Sequence, residues 1–311
     1  MKRIDASREG IVALSWSQDG RWVAYVRGEE LVCLTDVASG EIREIGFGAS
    51  PSITPSNSVV MERKNEIVEV TAGGVRTVVG TADLVKGTPK RAPVLAPNGT
   101  SFLFAVNNVY DKGSQTKNAY AHRHFLGLGD LRGGRLTITG EQWYGGTATW
   151  FPDGKRFAHY EFDSTGGARV HVVGAKGEHE GTAFGLFPSP SPDGKRLACR
   201  PRGGGSVVVY SSREDKWDKD SLETAVLRVP TSDGRLSANS PEWLDNRYVL
   251  VDEGGSVWRI DTRKDDPEEL KKLPPPTVRG ARTMALSPSR DVVAIETPIE
   301  DGFELRVGPV R

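Results

Sequence analysis

The run Pro152-Asp153-Gly154-Lys155-Arg156-Phe157-Ala158 returns almost letter for letter as Pro192-Asp193-Gly194-Lys195-Arg196-Leu197-Ala198. Proline presets φ at the second position of a turn, Asp bonds its own backbone, and Gly accepts positive φ. A turn of this kind that feeds at once into an apolar run is a β-hairpin signal. Met once, it is a local motif. Repeated along a chain it defines an architecture, and the period decides which one.

Aligned on the pattern apolar, Ser/Pro, Asp/Asn-Gly, apolar, the chain carries seven copies, opening at Trp16, Ile53, Leu95, Trp150, Pro190, Trp243 and Leu286. The copies at Ile53, Trp243 and Leu286 are loose, with the Asp-Gly pair missing or altered. The usual step is about 40–45 residues, the length of one four-stranded propeller blade. Two longer steps, after the third and fifth copies, imply insertions. In the first unit the strands read as Ile11 to Trp16, Trp22 to Val26, Leu31 to Val37 and Glu41 to Ile45. The expected fold is therefore all-β: a seven-bladed β-propeller of four-stranded antiparallel blades, one domain over residues 1–311. Six blades is the alternative if the weak unit at Ile53 is discounted, yet Glu66 to Val70 completes that unit well. The segment Pro267 to Leu273 reads as an inter-blade connection, because Pro274-Pro275-Pro276 ends any helix there.

The last unit offers strands at 283–286, 292–297 and 303–307 and no fourth, while Lys2-Arg3-Ile4-Asp5 stands spare at the other end. An open blade exposes an unpaired strand edge. Residues 2–6 are thus expected to close the ring as the outer strand of the last blade.

Lys+Arg and Asp+Glu balance at 41 each, which gives no global support for nucleic acid or an anionic membrane as partner. No apolar run approaches bilayer length. Cys33 and Cys199 sit far apart in apolar runs and read as buried free thiols, without disulfide or zinc spacing. The start, Met1 to Ala6, has no apolar signal core, which points to a cytoplasmic protein. A periplasmic or secreted domain without its signal peptide would read the same.

The repeated Ser-Pro-Asp-Gly-Lys-Arg-apolar-Ala signature resembles the TolB-like propeller repeat, a relative of WD-type repeats, over essentially the whole chain. The resemblance implies a propeller. Its functional range is wide: protein-binding platforms, accessory domains of peptidases, and lyases acting on sugars. The Pro, Asp and Gly build turns and perform no chemistry, so function has to be argued from sites.

In such a ring the loops between second and third strands share one face with the blade-to-blade connections, and the Asp-Gly turns lie on the other. Two interruptions stand out. One, at 107–118, carries Tyr110, Asp111 and Lys112; the other, from about Gly203 to Glu223, carries Arg213, Lys216 and Trp217. With the third strand of the fifth unit read as Ala225 to Pro230, both insertions are expected on one face. Trp217, a lone aromatic among charges, is either an anchor for a protein partner or a pin for its own loop.

His122 and His124 flank Arg123 and share one face of a strand, a spacing that suits two metal ligands or a base and an electrophile. His159 and His171 fall on adjacent strands of the fourth unit, with His179 beyond them. Arg21, Lys155-Arg156, Lys195-Arg196, Arg247 and Arg290 follow the first strands, as a basic rim or as ordinary solvated charge. Trp16, Trp150 and Trp243 take equivalent places and are read as wedge fillers between blades. No Gly-x-Ser-x-Gly elbow occurs, and Gly203-Gly204-Gly205-Ser206 lacks the Lys of a phosphate loop. The leading functional reading is a non-enzymatic scaffold that docks a protein partner and needs no cofactor. The alternative is a propeller enzyme, a sugar lyase or hydrolase with His122, His124 and a metal at the channel mouth. A small-molecule or sugar ligand is left open; nucleic acid and membrane are not expected.

Overall fold

Seven antiparallel sheets follow one another along the chain. The computed structural model describes residues 1–80, 88–89, 93–107, 124–133, 137–143, 148–162, 167–201, 205–213, 216–217, 222–229, 240–253, 256–264, 266–270 and 284–310. Every regular element among them is a strand. After β1 (Lys2–Ser7), blade 1 is built from β2 (Ile11–Trp16), β3 (Trp22–Arg27), β4 (Leu31–Asp36) and β5 (Ile42–Phe47), and blade 2 from β6 (Ala49–Ile53), β7 (Val59–Arg63), β8 (Glu66–Thr71) and β9 (Gly74–Val79). Blade 3 has a split inner strand, β10 (Thr88–Pro89) and β11 (Val94–Leu95), against β12 (Ser101–Asn107), β13 (His124–Asp130) and β14 (Thr137–Trp143). Blade 4 is β15 (Thr149–Trp150), β16 (Arg156–Phe162), β17 (Ala168–Gly174) and β18 (His179–Phe184); blade 5 is β19 (Leu186–Pro190), β20 (Arg196–Arg200), β21 (Ser206–Ser212) and β22 (Leu222–Arg228). Blade 6 is β23 (Glu242–Trp243), β24 (Tyr248–Glu253), β25 (Ser256–Asp261) and β26 (Asp266–Glu269), and blade 7 is β27 (Met284–Leu286), β28 (Val292–Ile299) and β29 (Gly302–Pro309), completed by β1.

The ring is therefore a seven-bladed propeller, and the unit at Ile53 is a full blade. Closure follows the sequence reading: β1 lies antiparallel to β29, from Lys2 opposite Val307 to Ser7 opposite Phe303. Two expectations change. Residues 266–269 form the outer strand of blade 6 and not a connection. In blade 5, Val207 to Tyr210 is the third strand, and Leu222–Arg228 the fourth. The loop 213–221 therefore joins third and fourth strands, which places it on the Asp-Gly face. The other insertion, 107–118, lies outside the described residues beyond Asn107; it follows a second strand, β12, whereas Lys216 and Trp217 follow a third, so the expectation of one shared face does not hold for the ends of those strands. The valine run Val207-Val208-Val209 is part of a strand, with Val207 and Val209 buried and Val208 half-buried, as its composition favours.

The core lies between blades. One apolar cluster joins Trp22, Ala24 and Leu34 of blade 1 to Ile53, Met61 and Val68 of blade 2; another joins Val207, Val209 and Leu227 of blade 5 to Trp243, Val249 and Ile260 of blade 6. Both cysteines are buried and free.

The repeated turn shows what its residues do. Gly20, Gly99, Gly154 and Gly194 each donate N–H to the carbonyl three residues back, at 2.8–3.0 Å, with φ between +64° and +70°. Asn57 and Arg290 occupy the same place in the loose copies and also take positive φ, +61° and +62°. Packing adds a second demand at Gly99, where a Cβ would stand 2.1 Å from the Pro55 ring of the preceding blade. In the full copies, Ser17 Oγ and Ser191 Oγ donate to Asp19 Oδ1 and Asp193 Oδ1 at 2.5 Å, which locks the turn from inside.

The three equivalent tryptophans lash the inner ring together. Trp16, Trp150 and Trp243 donate Nε1–H to the carbonyls of Ala285, Val94 and Ser189, each on the inner strand of the preceding blade, at 2.7–3.0 Å. Trp150 and Trp243 are buried. The wedge reading holds for them.

Beside Trp243, Glu242 lies near Arg290 of blade 7, whose guanidinium donates to the Trp243 carbonyl. Burial pushes the Glu242 carboxyl up to about 7, against the pull of Arg290. An acid whose folded pKa is raised adds stability below its unfolded value and loses it as pH climbs through the folded one. The wild-type protein is expected to lose stability between about pH 4.5 and pH 7 through this group. Urea denaturation across that range should show the slope flattened in Glu242→Gln; an identical pH profile would remove Glu242 as its source.

Candidate functional site

A cleft of about 620 Å³ opens on the Asp-Gly face between blades 4 and 5. It is lined by Asp153, Lys155 and Arg156 of the blade 4 turn, Glu180 of β18, Asp193 and Lys195 of the blade 5 turn, and Lys216 and Trp217 of the loop after β21. The repeat itself brings the first and third groups together, since neighbouring blades present their turns side by side.

The wall of the cleft is a stack. Arg156 donates Nε–H to Asp153 Oδ2 at 3.0 Å and lays its guanidinium 4.9 Å from the Phe151 ring centre. Trp217 meets the same Phe151 edge-on, with ring centres 5.2 Å apart and planes at 69°. Trp217 is 1% exposed and belongs to the cluster that joins Tyr160, Val170 and Val172 of blade 4 to Leu197 and Tyr210 of blade 5. Its loop crosses onto the neighbouring blade: a Cβ on Gly181 of β18 would come within 1.8 Å of the Trp217 carbonyl oxygen. Of the two sequence readings of Trp217, the pin matches this position. A side chain so buried offers no face to a partner.

The charges around the cleft are unequal in commitment. Asp153 is held by Arg156, and Asp193 accepts from Ser191 and from the Lys195 backbone N–H. Glu180 has its carboxyl pushed up by burial, opposed by Arg156. Lys155 and Lys195 have no carboxylate partner among the described residues, and Lys216 is exposed at the rim. The Trp217 indole N–H is also distinctive. Trp16, Trp150 and Trp243 all donate theirs to carbonyls, whereas the buried Nε1 of Trp217 has no hydrogen-bond partner among the described residues.

The arginines of the expected basic rim are mostly spent within the fold. Arg21 pairs with Asp36 at 2.7 Å and Arg247 with Asp261 at 2.5 Å; Arg196 lies over the Trp243 ring at 5.1 Å. Hydrogen bonds from backbone and arginine hold the Asp36 and Asp261 carboxyls down to about 2. The lysines next in sequence are what the rim leaves for solvent.

Of the remaining sequence candidates, Arg213 is exposed and pairs with Glu223 at 2.8 Å. Tyr110, Asp111, Lys112 and His122 lie outside the described residues. His124 lies on β13, opposite Asn107 and Trp143 in the register. A second cavity, of about 300 Å³, is lined by the inner strands of blades 1 to 4, with Trp16, Trp150, Ser15, Ser52 and Thr149; its described lining holds no titratable side chain. Glu180 and Phe151 were not singled out from sequence. The alternation of Glu180 with Gly181 on an outer strand carries no signal by itself.

No family model matches the chain, and no curated protein does. Solved structures do. The chain is similar to an oligogalacturonate lyase in complex with manganese (TM-score 0.70, 13% identity, 99% of this chain and 92% of that one). It is similar to the β-propeller domain of Myceliophteria thermophila Cps50 (Swd1) (TM-score 0.67, 12% identity, 100% of both chains). It is also similar to TolB from Acinetobacter baumannii (TM-score 0.50, 19% identity, 89% of this chain and 57% of that one). The fold is a β-propeller like that of TolB and of WD-repeat domains. At these identities the likeness is one of fold, and that fold serves both enzymes and non-enzymes.

Proposed function

We propose that this propeller is a binding platform that docks an acidic segment of a protein partner in the cleft between blades 4 and 5. The observation that carries the reading is the set of three lysines, Lys155, Lys195 and Lys216, supplied by three separate turns of two blades around one open cleft. The turn carboxylates beside Lys155 and Lys195, Asp153 and Asp193, are already committed within their own turns. Lys155 and Lys195, on hydrogen-bonded turns, present charge to a ligand without the ordering cost of a flexible loop. Arg213 and Lys216, singled out from sequence as partner-binding, belong to the loop that borders this cleft.

Binding of a glutamate-rich peptide, followed by calorimetry at two salt concentrations, tests the proposal. The wild-type chain should bind, more weakly at higher salt. Reversing two rim charges in Lys155→Glu/Lys195→Glu should weaken binding about tenfold or more, with the melting temperature unchanged. Binding that ignores the double reversal would sink the reading. Oligogalacturonate serves as the second probe, because one fold-similar protein is a lyase for it. Its cleavage by the purified chain would replace the platform with the enzyme reading.

A further inference from the structure

The fourth blade gathers three of the five histidines of the chain. His159 on β16 stands directly opposite His171 on β17, and their rings stack with centres 5.3 Å apart and planes at 21°. His171 in turn reaches His179 on β18. Regular pairing would not allow this. The β17–β18 register slips by one residue between Val172 and Val173, so that Val173 faces His179 instead of Glu180. Side chains alternate across a strand, and a one-residue slip moves a residue to the other face. The bulge thus brings His179 onto the face that carries His159 and His171, and leaves Glu180 to the cleft side. The same slip occurs between third and fourth strands of blades 1 and 2. It is a device of the fold which, in this blade, has a histidine at its disposal.

The nitrogens that meet are His171 Nδ1 and His179 Nε2, 3.3 Å apart, with Thr182 Oγ1 3.2 Å from the latter. Two imidazole nitrogens bound to one tetrahedral ion at about 2.0–2.1 Å stand roughly 3.4 Å from each other. On the far side of the ring, His171 Nε2 lies 3.0 Å from Glu161 Oε1, a charge contact that is not aligned as a hydrogen bond and that a small turn of the ring would align. A carboxylate on the distal nitrogen of a ligating histidine fixes its tautomer and raises its basicity. His159, 1% exposed, holds the plane of the His171 ring from the other side. His179 is exposed, so an ion reaches the pair from solvent.

We infer that His171 Nδ1 and His179 Nε2 form a two-histidine site for a divalent transition ion of the zinc class, with water completing the coordination and Glu161 orienting His171. Imidazole donors select zinc, nickel and copper over manganese or magnesium, which prefer oxygen. The site stands apart from the cleft and does not depend on the partner-binding proposal.

Calorimetric titration of Zn²⁺ into the full chain, with any polyhistidine tag removed, is the test. One ion per chain is expected. His179→Ala should abolish or weaken binding at least tenfold. Glu161→Gln should keep the stoichiometry and weaken binding about 10–100-fold. On the unaltered chain, Co²⁺ should broaden the His171 and His179 ring resonances first. Absence of binding at millimolar Zn²⁺ would overturn the site, as would binding that both variants leave unchanged or broadening confined to other histidines.

Discussion

Trp217→Ala is expected to destabilise the protein by about 3–5 kcal/mol, the usual cost of emptying a large buried aromatic site. For a chain of this length that is a fall of roughly 5–8 °C in melting temperature. The expectation rests on where the ring sits: 1% exposed, edge-on to Phe151, and supplied by a loop of blade 5 to a cluster shared with blade 4. Trp217→Phe should cost much less, because it keeps most of the ring and discards a buried N–H that has no partner among the described residues. An unpaired buried donor is itself a cost of about 1–3 kcal/mol. Gly181→Ala approaches the same contact from the other blade. Its Cβ would stand 1.8 Å from the Trp217 carbonyl oxygen, a backbone atom that can yield only if the loop lifts. Loss should then be comparable, and the double variant should cost little more than the worse single one, since both open the same seam. Equilibrium denaturation of the four proteins checks this. Fully additive losses would mean that the loop is not one latch.

The fold was legible because its signal is redundant. A turn that needs positive φ at one position recurs down the chain, and where Gly is replaced, Asn57 and Arg290 still take that φ. Strand bounds in the first unit could be read to within two residues for the same reason: each run is closed by a turn residue. Blade 5 misled because its third strand, Ser206–Ser212, begins directly after a glycine run. Glycine reads as loop, so the sequence pattern puts the start of the insertion there and the strand count is off by one. That slip moved loop 213–221 to the wrong face.

The site was less legible than the fold. Lys155 and Lys195 were visible as turn residues, but their pairing across one cleft follows from the order of blades in space. Trp217 looks like a surface anchor because its neighbours are Lys216 and Asp218; only the crossing of its loop onto Gly181 buries it. The histidine ladder depends on a bulge, and a one-residue slip in register has no sequence signature. Period-two reasoning places His179 on the opposite face from His171.

Removing residues 1–7 should harm the protein more than any of these substitutions. The strand β1 is bound on two sides. Its backbone pairs with β29, where Arg3 also meets Glu304 at 3.5 Å. Its side chains hold the first blade: Ile4 is buried with Ile11, Val23 and Tyr25, Asp5 Oδ2 accepts from Tyr25 Oη at 2.7 Å, and Lys2 Nζ donates to the Ala38 carbonyl at 3.0 Å. Burial and the bond to Asp5 both push the Tyr25 hydroxyl far above its ordinary pKa, as expected of a sealed contact. The strand therefore joins blade 7 to blade 1 at the one place where the chain does not run from blade to blade. Without it Tyr25 keeps a buried hydroxyl that has lost its acceptor, and β29 becomes a bare edge. The expected result is a melting temperature more than 10 °C lower, beyond the roughly 5–8 °C estimated for Trp217→Ala, and concentration-dependent aggregation. A synthetic peptide of residues 1–8 added in trans should bind the truncated protein and restore much of the loss, whereas the same peptide carrying Ile4→Asp should not. A truncated protein that melts with the intact one would show the ring to be held by its blade interfaces alone.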